Sequence, residues 1–292
     1  MRKNSLRECI RQNKPSLGTH MNMSDPTIVE LIGHTGMFDY VEFVAEYGPY
    51  DLYALENIGR AVDLFDDFSA MIKVEQEPRT FITVRALGSG IQNLLFADVR
   101  TVAEARECVN AVRAEAPGSW GKHGVGMRRD VRYVIEGGSP AFIQALDEAV
   151  INFMIEKKEC VENLEAILSI GGIEMVQFGP SDYAMSIGVA GQTYGPGQRH
   201  PAVVEAEKFT IETAQKMGIR PRVEIGSPEQ AKPYLDLGIR DFCIGWDVRI
   251  LFDWFKNSGK AMRDLLGDAA RNAPSTNGQA AAAAGAGSTP AR

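Results

Sequence analysis

Short apolar, β-rich runs alternate along this chain with longer stretches whose apolar residues recur at helical spacing. The strand pattern predicts eight strands, at Ser16–Thr19, Tyr40–Ala45, Ala70–Glu75, Gln92–Phe96, Ala149–Ile155, Met175–Phe178, Ile219–Val223 and Asp241–Ile244. Between them, helical periodicity predicts Pro26–Thr35, opened by the cap-and-proline sequence Ser24-Asp25-Pro26, and Leu52–Phe68. Further helices are predicted at Glu77–Leu87, Val102–Ala114, Cys160–Ser169, Pro201–Met217, Pro228–Leu237 and Val248–Leu266. Gly218 and Gly238 stand where helices give way to the next strand. Eight strands, each followed by a helix, point to an α/β chain folded as a (β/α)8 TIM barrel. A doubly wound sheet is the alternative, but no GxGxxG follows the first strand. Residues 1–271 read as one barrel domain. From Asn272 the sequence NAPSTNGQAAAAAGAGSTPAR has no large apolar side chain to repay ordering, so 272–292 reads as a disordered tail.

Composition narrows the partners. The 292 residues are 45% hydrophobic and 24% charged, an ordinary globular balance. Lys plus Arg is 31 against 38 acidic residues, a net charge of −7 without a compensating basic run, which disfavours nucleic acid and anionic membrane. Cys9, Cys108, Cys160 and Cys243 are far apart and form no CxxC pair, which argues against a zinc finger or disulfide framework and for a reducing, cytoplasmic location. The first twenty residues lack an apolar signal core, and no stretch approaches the ~18 apolar residues of a membrane span.

In a barrel, the C-terminal strand ends carry the chemistry. Here they supply His20, Glu46, Tyr47, Lys73, Glu75, Glu156, Ser181, Asp182, Glu224 and Asp247. So many ionisable groups suit a metal ion or a charged substrate better than a packed interior. Glu156 closes an apolar strand and Asp182 follows the next one in Gly179-Pro180-Ser181-Asp182, a pair fit for a hard divalent ion such as Mg²⁺, Mn²⁺ or Co²⁺. The Gly-Pro-Ser turn offers backbone N–H groups at a helix start, so Gly179 and Ser181, with Glu46, are candidate substrate contacts. The plainer alternative is that Asp182 caps its helix and Glu156 pairs with a lysine such as Lys73.

On the arrangement IE…FGPSD…SIG the chain resembles the HpcH/HpaI aldolase family, from about Ser5 to Leu266. Supporting matches are GTH at the first strand, FDYVEFVAEYG, NLLFADVRTVAEAREC, the GxGMRR stretch at Gly124–Arg129 and YLDLGIRDFCIGWD. The resemblance implies a metal-dependent barrel that cleaves 4-hydroxy-2-oxo acids to pyruvate and an aldehyde, with Glu156 and Asp182 as metal ligands. It also implies a homo-oligomer, trimer or hexamer, in which the last helix packs on a neighbouring subunit. The chain departs from the family block FDxxxxDxEHG, carrying Val44 for the Asp and Tyr47 for the His, while Lys73 stands for the substrate-binding Arg and Met154 for a Gln.

With the usual His–Asp base missing, His20 and Tyr47 are the candidates to move the proton, and Lys73 is the cation beside the 2-oxo acid. Neutral His20 would shuttle a proton at pH 7; its plainer role is packing. Tyr47 is the better donor unless Lys73 lowers its pKa, and Lys73 could instead form a Schiff base. His34, His123 and His200 read as structural or exposed. The expected function is a carbon–carbon lyase of the metal aldolase type. The alternatives are a related 2-oxo acid lyase, decarboxylase or synthase, or a binding barrel without activity.

Overall fold

A computed structural model describes residues 2–192 and 199–267. The tail expected from Asn272 lies outside the described residues. Eight parallel strands close into a barrel in chain order: β1 Ser16–Met21, β2 Tyr40–Val44, β3 Ser69–Val74, β4 Asn93–Phe96, β5 Val150–Ile155, β6 Met175–Phe178, β7 Arg220–Ile225 and β8 Asp241–Trp246. Most strands were legible as apolar runs, though not β1 or the charged β7, because a parallel barrel strand is covered on both faces, by helices outside and by facing strands within. The outer core joins residues such as Val41, Phe43, Ile72, Leu94, Phe96, Ile151 and Phe153 to the helix layer.

The expected helices form with shifted ends. Pro26–Thr35 is as read, with Asp25 accepting a hydrogen bond from the Thr27 N–H at its start. The Leu52–Phe68 helix ends at Val62, because Arg2 meets the carbonyls of Val62 (2.9 Å), Phe65 (2.7 Å) and Phe68 and holds the following segment as turns. The expected helix Cys160–Ser169 breaks at Asn163 into Lys158–Glu162 and Leu164–Leu168. Pro228–Leu237 is a 3₁₀ turn followed by the short helix Lys232–Asp236, with Pro233 denying it a backbone donor. Two helices had no counterpart in the pattern, Ser5–Arg11 and Pro140–Asp147.

The first of these seals the barrel. Leu6 is fully buried among Tyr40, Met71, Leu95, Val150 and Met175, all inward-facing strand residues. Asn4 Nδ2 donates to Asn93 Oδ1 at 2.8 Å, and Arg7 donates to the carbonyls of Glu148 (2.9 Å) and Ala149 (2.8 Å), at the N-terminal ends of β4 and β5. Among the described residues the barrel is therefore closed at its N-terminal end, and a cavity opens where the strand-end residues lie.

The last helix, Asp247–Leu265, lies on the outside with only Asp247 buried. Ile250, Phe252, Trp254, Phe255, Met262 and Leu265 all stand exposed. No helix among the described residues is long and apolar enough to cross a membrane.

Candidate active site

At the open end a cavity of about 330 Å³ is lined by His20, Glu42, Val44, Tyr47, Lys73, Met154, Glu156, Gln177, Gly179, Pro180, Ser181, Asp182, Glu224 and Trp246. It thus gathers His20, Tyr47, Lys73, Glu156, Gly179, Ser181, Asp182 and Glu224 from the sequence reading. Glu46 reaches it through an ion pair with Lys73. Glu75 and Asp247 are not among its lining residues. Asp247 instead accepts the backbone N–H groups of Asn22 (2.9 Å), Met23 (3.0 Å) and Val248 (2.7 Å), fixing the loop after β1 to the start of the last helix.

Glu156 is buried where β5 ends, and its Oε1 accepts the Asp98 N–H at 2.9 Å. Burial, reinforced by the nearby Asp182 and Glu46 carboxylates, pushes its pKa up to about 7 against the pull of Lys73. Gly179 makes room for it: a Cβ there would stand 2.7 Å from Glu156 Cβ and 2.8 Å from its Oε2. Asp182 does not cap the helix Pro180–Ser186, which has no side-chain cap bond; it pairs with Lys157 at 3.1 Å, and the same ammonium holds Asp98 at 2.7 Å. The turn offers a carboxylate fewer donors than the sequence suggested. The Gly179 N–H is spent on the Ile155 carbonyl at 3.0 Å and Pro180 has none, which leaves Ser181.

The buried Glu156, its pKa displaced upward beside the Asp182 carboxylate, fits a hard divalent cation, which would relieve the cost of burying its charge. His20, Glu42 and Cys243 also bring ligand atoms within 4.8 Å of one another. That second group fits a cation poorly, because Glu42 is already paired with the buried Arg222 guanidinium and burial pushes the Cys243 thiol up.

Lys73 is buried beneath the Tyr47 ring, 5.0 Å from its centre. Burial would lower the lysine pKa, but Glu156 and Glu46 outweigh it and raise it, so the amine stays an ammonium rather than a Schiff-base nucleophile. Burial also pushes the Tyr47 phenol up, and Lys73 does not offset it, so the phenol favours its protonated form. For His20, burial favours the neutral ring, but Cys243, Glu224 and Glu42 together raise its pKa well above the ordinary value. That direction runs against the neutral imidazole expected from the sequence.

The sequence reading missed the layer beneath: Glu42, Gln177 and Arg222 in mid-strand. The remaining histidines are structural. His123 Nδ1 lies 3.1 Å from the Ala111 carbonyl, His200 accepts the Ala202 N–H at 3.1 Å to start its helix, and His34 meets the Phe65 ring edge-on.

The family model described as HpcH/HpaI aldolase/citrate lyase matches residues 19–239. The chain belongs to this family. As a member of the HpcH/HpaI family it is a carbon–carbon lyase on a barrel scaffold. It is 27% identical over 249 residues to a 4-hydroxy-2-oxo-heptane-1,7-dioate aldolase of Escherichia coli, covering 85% of this chain and 90% of that one. The fold is shared with an HpcH/HpaI aldolase/citrate lyase family protein from Burkholderia cenocepacia (TM-score 0.79, 24% identity, 89% of this chain and 100% of that one). It is shared too with an HpcH/HpaI aldolase from Desulfitobacterium hafniense (TM-score 0.76, 22% identity, 88% and 96%).

The close approach at Gly179 gives a direct check. Gly179→Ala forces Glu156 aside, and a displacement of about 1 Å at reacting groups costs on the order of 10²-fold in rate. The variant should fold with an unchanged circular dichroism spectrum and lose about that factor in kcat/KM; a rate within twofold of the parent would show that Glu156 has no fixed part in turnover.

Proposed function

We propose that this lyase cleaves, or in reverse forms, a 4-hydroxy-2-oxo acid, with a divalent cation (Mg²⁺, Mn²⁺ or Co²⁺) held by Glu156 and Asp182. The observation that carries this reading is the buried Glu156, crowded by Asp182 and Glu46 and pushed up to about 7, in one cavity with Lys73. The activity named for the Escherichia coli relative supports the substrate class. A cation held there supplies Lewis acidity to the oxygens of a 2-oxo acid.

The protein's own groups account for the rest. Lys73, a fixed ammonium, offsets negative charge that develops on the 2-oxo acid, as a point charge without the planar fork of an arginine. Ser181 offers the substrate carboxylate a hydrogen bond, and Glu46 holds the Lys73 ammonium in place. In cleavage the C4 hydroxyl loses its proton, the C3–C4 bond breaks to release an aldehyde, and the electron pair left on the 2-oxo acid fragment takes a proton at C3. His20 and Glu224 lie with Nδ1 and Oε1 3.6 Å apart, and we assign them the two halves of that exchange, the carboxylate as acceptor and the protonated imidazole as donor. Tyr47 donates to the carbonyl oxygen at the rim.

The test is pyruvate release from a panel of 4-hydroxy-2-oxo acids, with Mg²⁺ or Mn²⁺ and after chelation. Turnover should depend on the ion, and Glu156→Gln or Asp182→Asn should abolish it while weakening ion binding in calorimetry. Stoichiometric metal in the double variant would remove these residues as ligands.

The pH dependence has a sign. Because the His20 pKa is raised, its proton persists through neutral pH and kcat/KM should fall on the alkaline side, above the ordinary histidine range. His20→Ala should remove that limb and cost about 10²–10⁴-fold. An unchanged profile would take His20 out of the proton transfer.

The exposed apolar face of Asp247–Leu265 supports a homo-oligomer, trimer or hexamer, in which this helix packs on a neighbouring subunit. Sedimentation at micromolar concentration should give a multiple of the chain mass, and Trp254→Glu with Phe255→Glu should shift it towards the monomer. A monomeric parent chain would reject the interface.

A further inference from the structure

His20 is held from two sides, and the side beneath it fixes what the ring can do. Its Nε2 lies 3.3 Å from Glu42 Oε1, and both side chains are almost wholly buried. Glu42 gives its other oxygen to Arg222, whose side chain is fully buried. Arg222 is held in turn by Gln177 Oε1, which accepts its Nε–H at 2.7 Å, and by the Tyr40 hydroxyl at 3.2 Å. A guanidinium does not lose its proton in a protein, so the carboxylate against it stays ionised and has no hydrogen to give. Burial alone would push Glu42 up, but Arg222 and His20 outweigh it and hold it well below the usual carboxylate range. Facing an ionised carboxylate at 3.3 Å, Nε2 is the nitrogen on which a hydrogen is favoured. Nδ1 is left facing Glu224 Oε1 at 3.6 Å, whose side chain is 42% exposed in the cavity.

The backbone is shaped for this placement. The β1–β8 register shifts between Gly18, opposite Cys243, and His20, opposite Trp246. The extra residue lies in β8, where Gly245 adopts φ +78°, a left-handed conformation that suits glycine. Bulges of this kind re-aim side chains at barrel rims.

We infer that Glu42 is a positioning residue for His20, that Arg222 keeps Glu42 in the ionised form this needs, and that Nδ1 is the working nitrogen of the ring. The groups facing His20 are Glu42 from β2, Glu224 from β7 and Cys243 from β8, and Glu224 among them is the one open to the cavity. An ion pair is a costly filling for a barrel interior, since well-packed apolar residues of the same volume are commonly as stable or more so. Here the pair has a task that apolar residues could not perform, because it sets the tautomer and direction of an imidazole. The inference rests on the reading that His20 moves a proton, but the geometry it concerns can be measured without substrate.

The experiment is nitrogen-15 NMR of the histidine rings in the full chain, which has four histidines, with His20 assigned by its loss in His20→Ala. Expected is an Nε2 that keeps its hydrogen at every pH at which the protein stays folded, whether or not Nδ1 loses its own. A neutral His20 with its hydrogen on Nδ1 would overturn the inference, whatever the enzyme turns over. If the ring carries the Nε2 hydrogen but no 4-hydroxy-2-oxo acid is cleaved, the positioning stands and the substrate reading falls.

Kinetics supply the second arm. Glu42→Gln should lower kcat by about 10–100-fold, the usual cost of losing a partner that orients a working histidine, with KM changed far less. Glu42→Asp should recover part of the loss by restoring the carboxylate. A folded Glu42→Gln enzyme with parental kcat, beside a His20→Ala enzyme that has lost it, would overturn the role of Glu42. Should Glu42→Gln fail to fold because Arg222 is left unpaired, the ring spectrum of the parent chain decides alone.

Discussion

Arg222 points into a closed barrel that bulk water does not enter, and its charge has to be met by protein groups alone. Glu42 meets it across the barrel, Gln177 and Tyr40 take further hydrogens, and the rest of the site is stacked on that layer. Above Glu42 sits His20, above His20 sits Glu224, and Gln177 returns from Arg222 to Glu224 at 3.3 Å. Charges therefore alternate in sign from the buried centre to the rim. The same alternation holds on the other wall, where Glu46 pairs with Lys73 and Lys157 bridges Asp98 and Asp182. Each of these basic groups thus faces a carboxylate, and Glu156 is the carboxylate that burial pushes up to about 7.

The barrel was legible because burial on both faces writes most strands as apolar runs, and because the eight strand runs alternate with helical ones. The reading stopped β8 short at Ile244, since Gly245 looks like a terminator; it is the bulge that carries the strand on to Trp246. Ser5–Arg11 escaped because its seven residues carry too little periodicity to separate a plug from a loose terminus. The rim residues were legible from position alone, for the end of a barrel strand is where a charge can be both fixed and wet. Glu42 and Arg222 were not, although a signal exists. Each is a charge in the middle of a strand whose neighbours are apolar, and two such charges of opposite sign predict each other. The upward shift of the His20 pKa was beyond any sequence reading, because its causes, Cys243, Glu224 and Glu42, converge from three different strands.

The departures at Val44 and Tyr47 acquire a physical sense beside this network. Val44 leaves the end of β2 without a charge, while Glu42 two residues earlier carries one into the same interior column. Tyr47 covers Lys73 with its ring, so the position next to the ammonium supplies a polarisable face and a hydroxyl instead of a base. In the proposed reading the imidazole that moves the proton lies one strand away on β1, and the carboxylate facing it lies on β7.

The plug formed by Leu6 has a consequence for traffic. With the N-terminal end shut, the pocket formed by the described residues is a well that opens at the strand-end rim, and its lining runs from the deep-set Glu156 and Lys73 to the half-exposed Tyr47 and Glu224. A molecule seated against Glu156 is covered by whatever occupies the rim, so entry and exit form a queue in which the inner occupant arrives first and leaves last. For the cleavage proposed above, this shape implies an order of addition and release in steady-state kinetics, independently of how tightly either fragment is held.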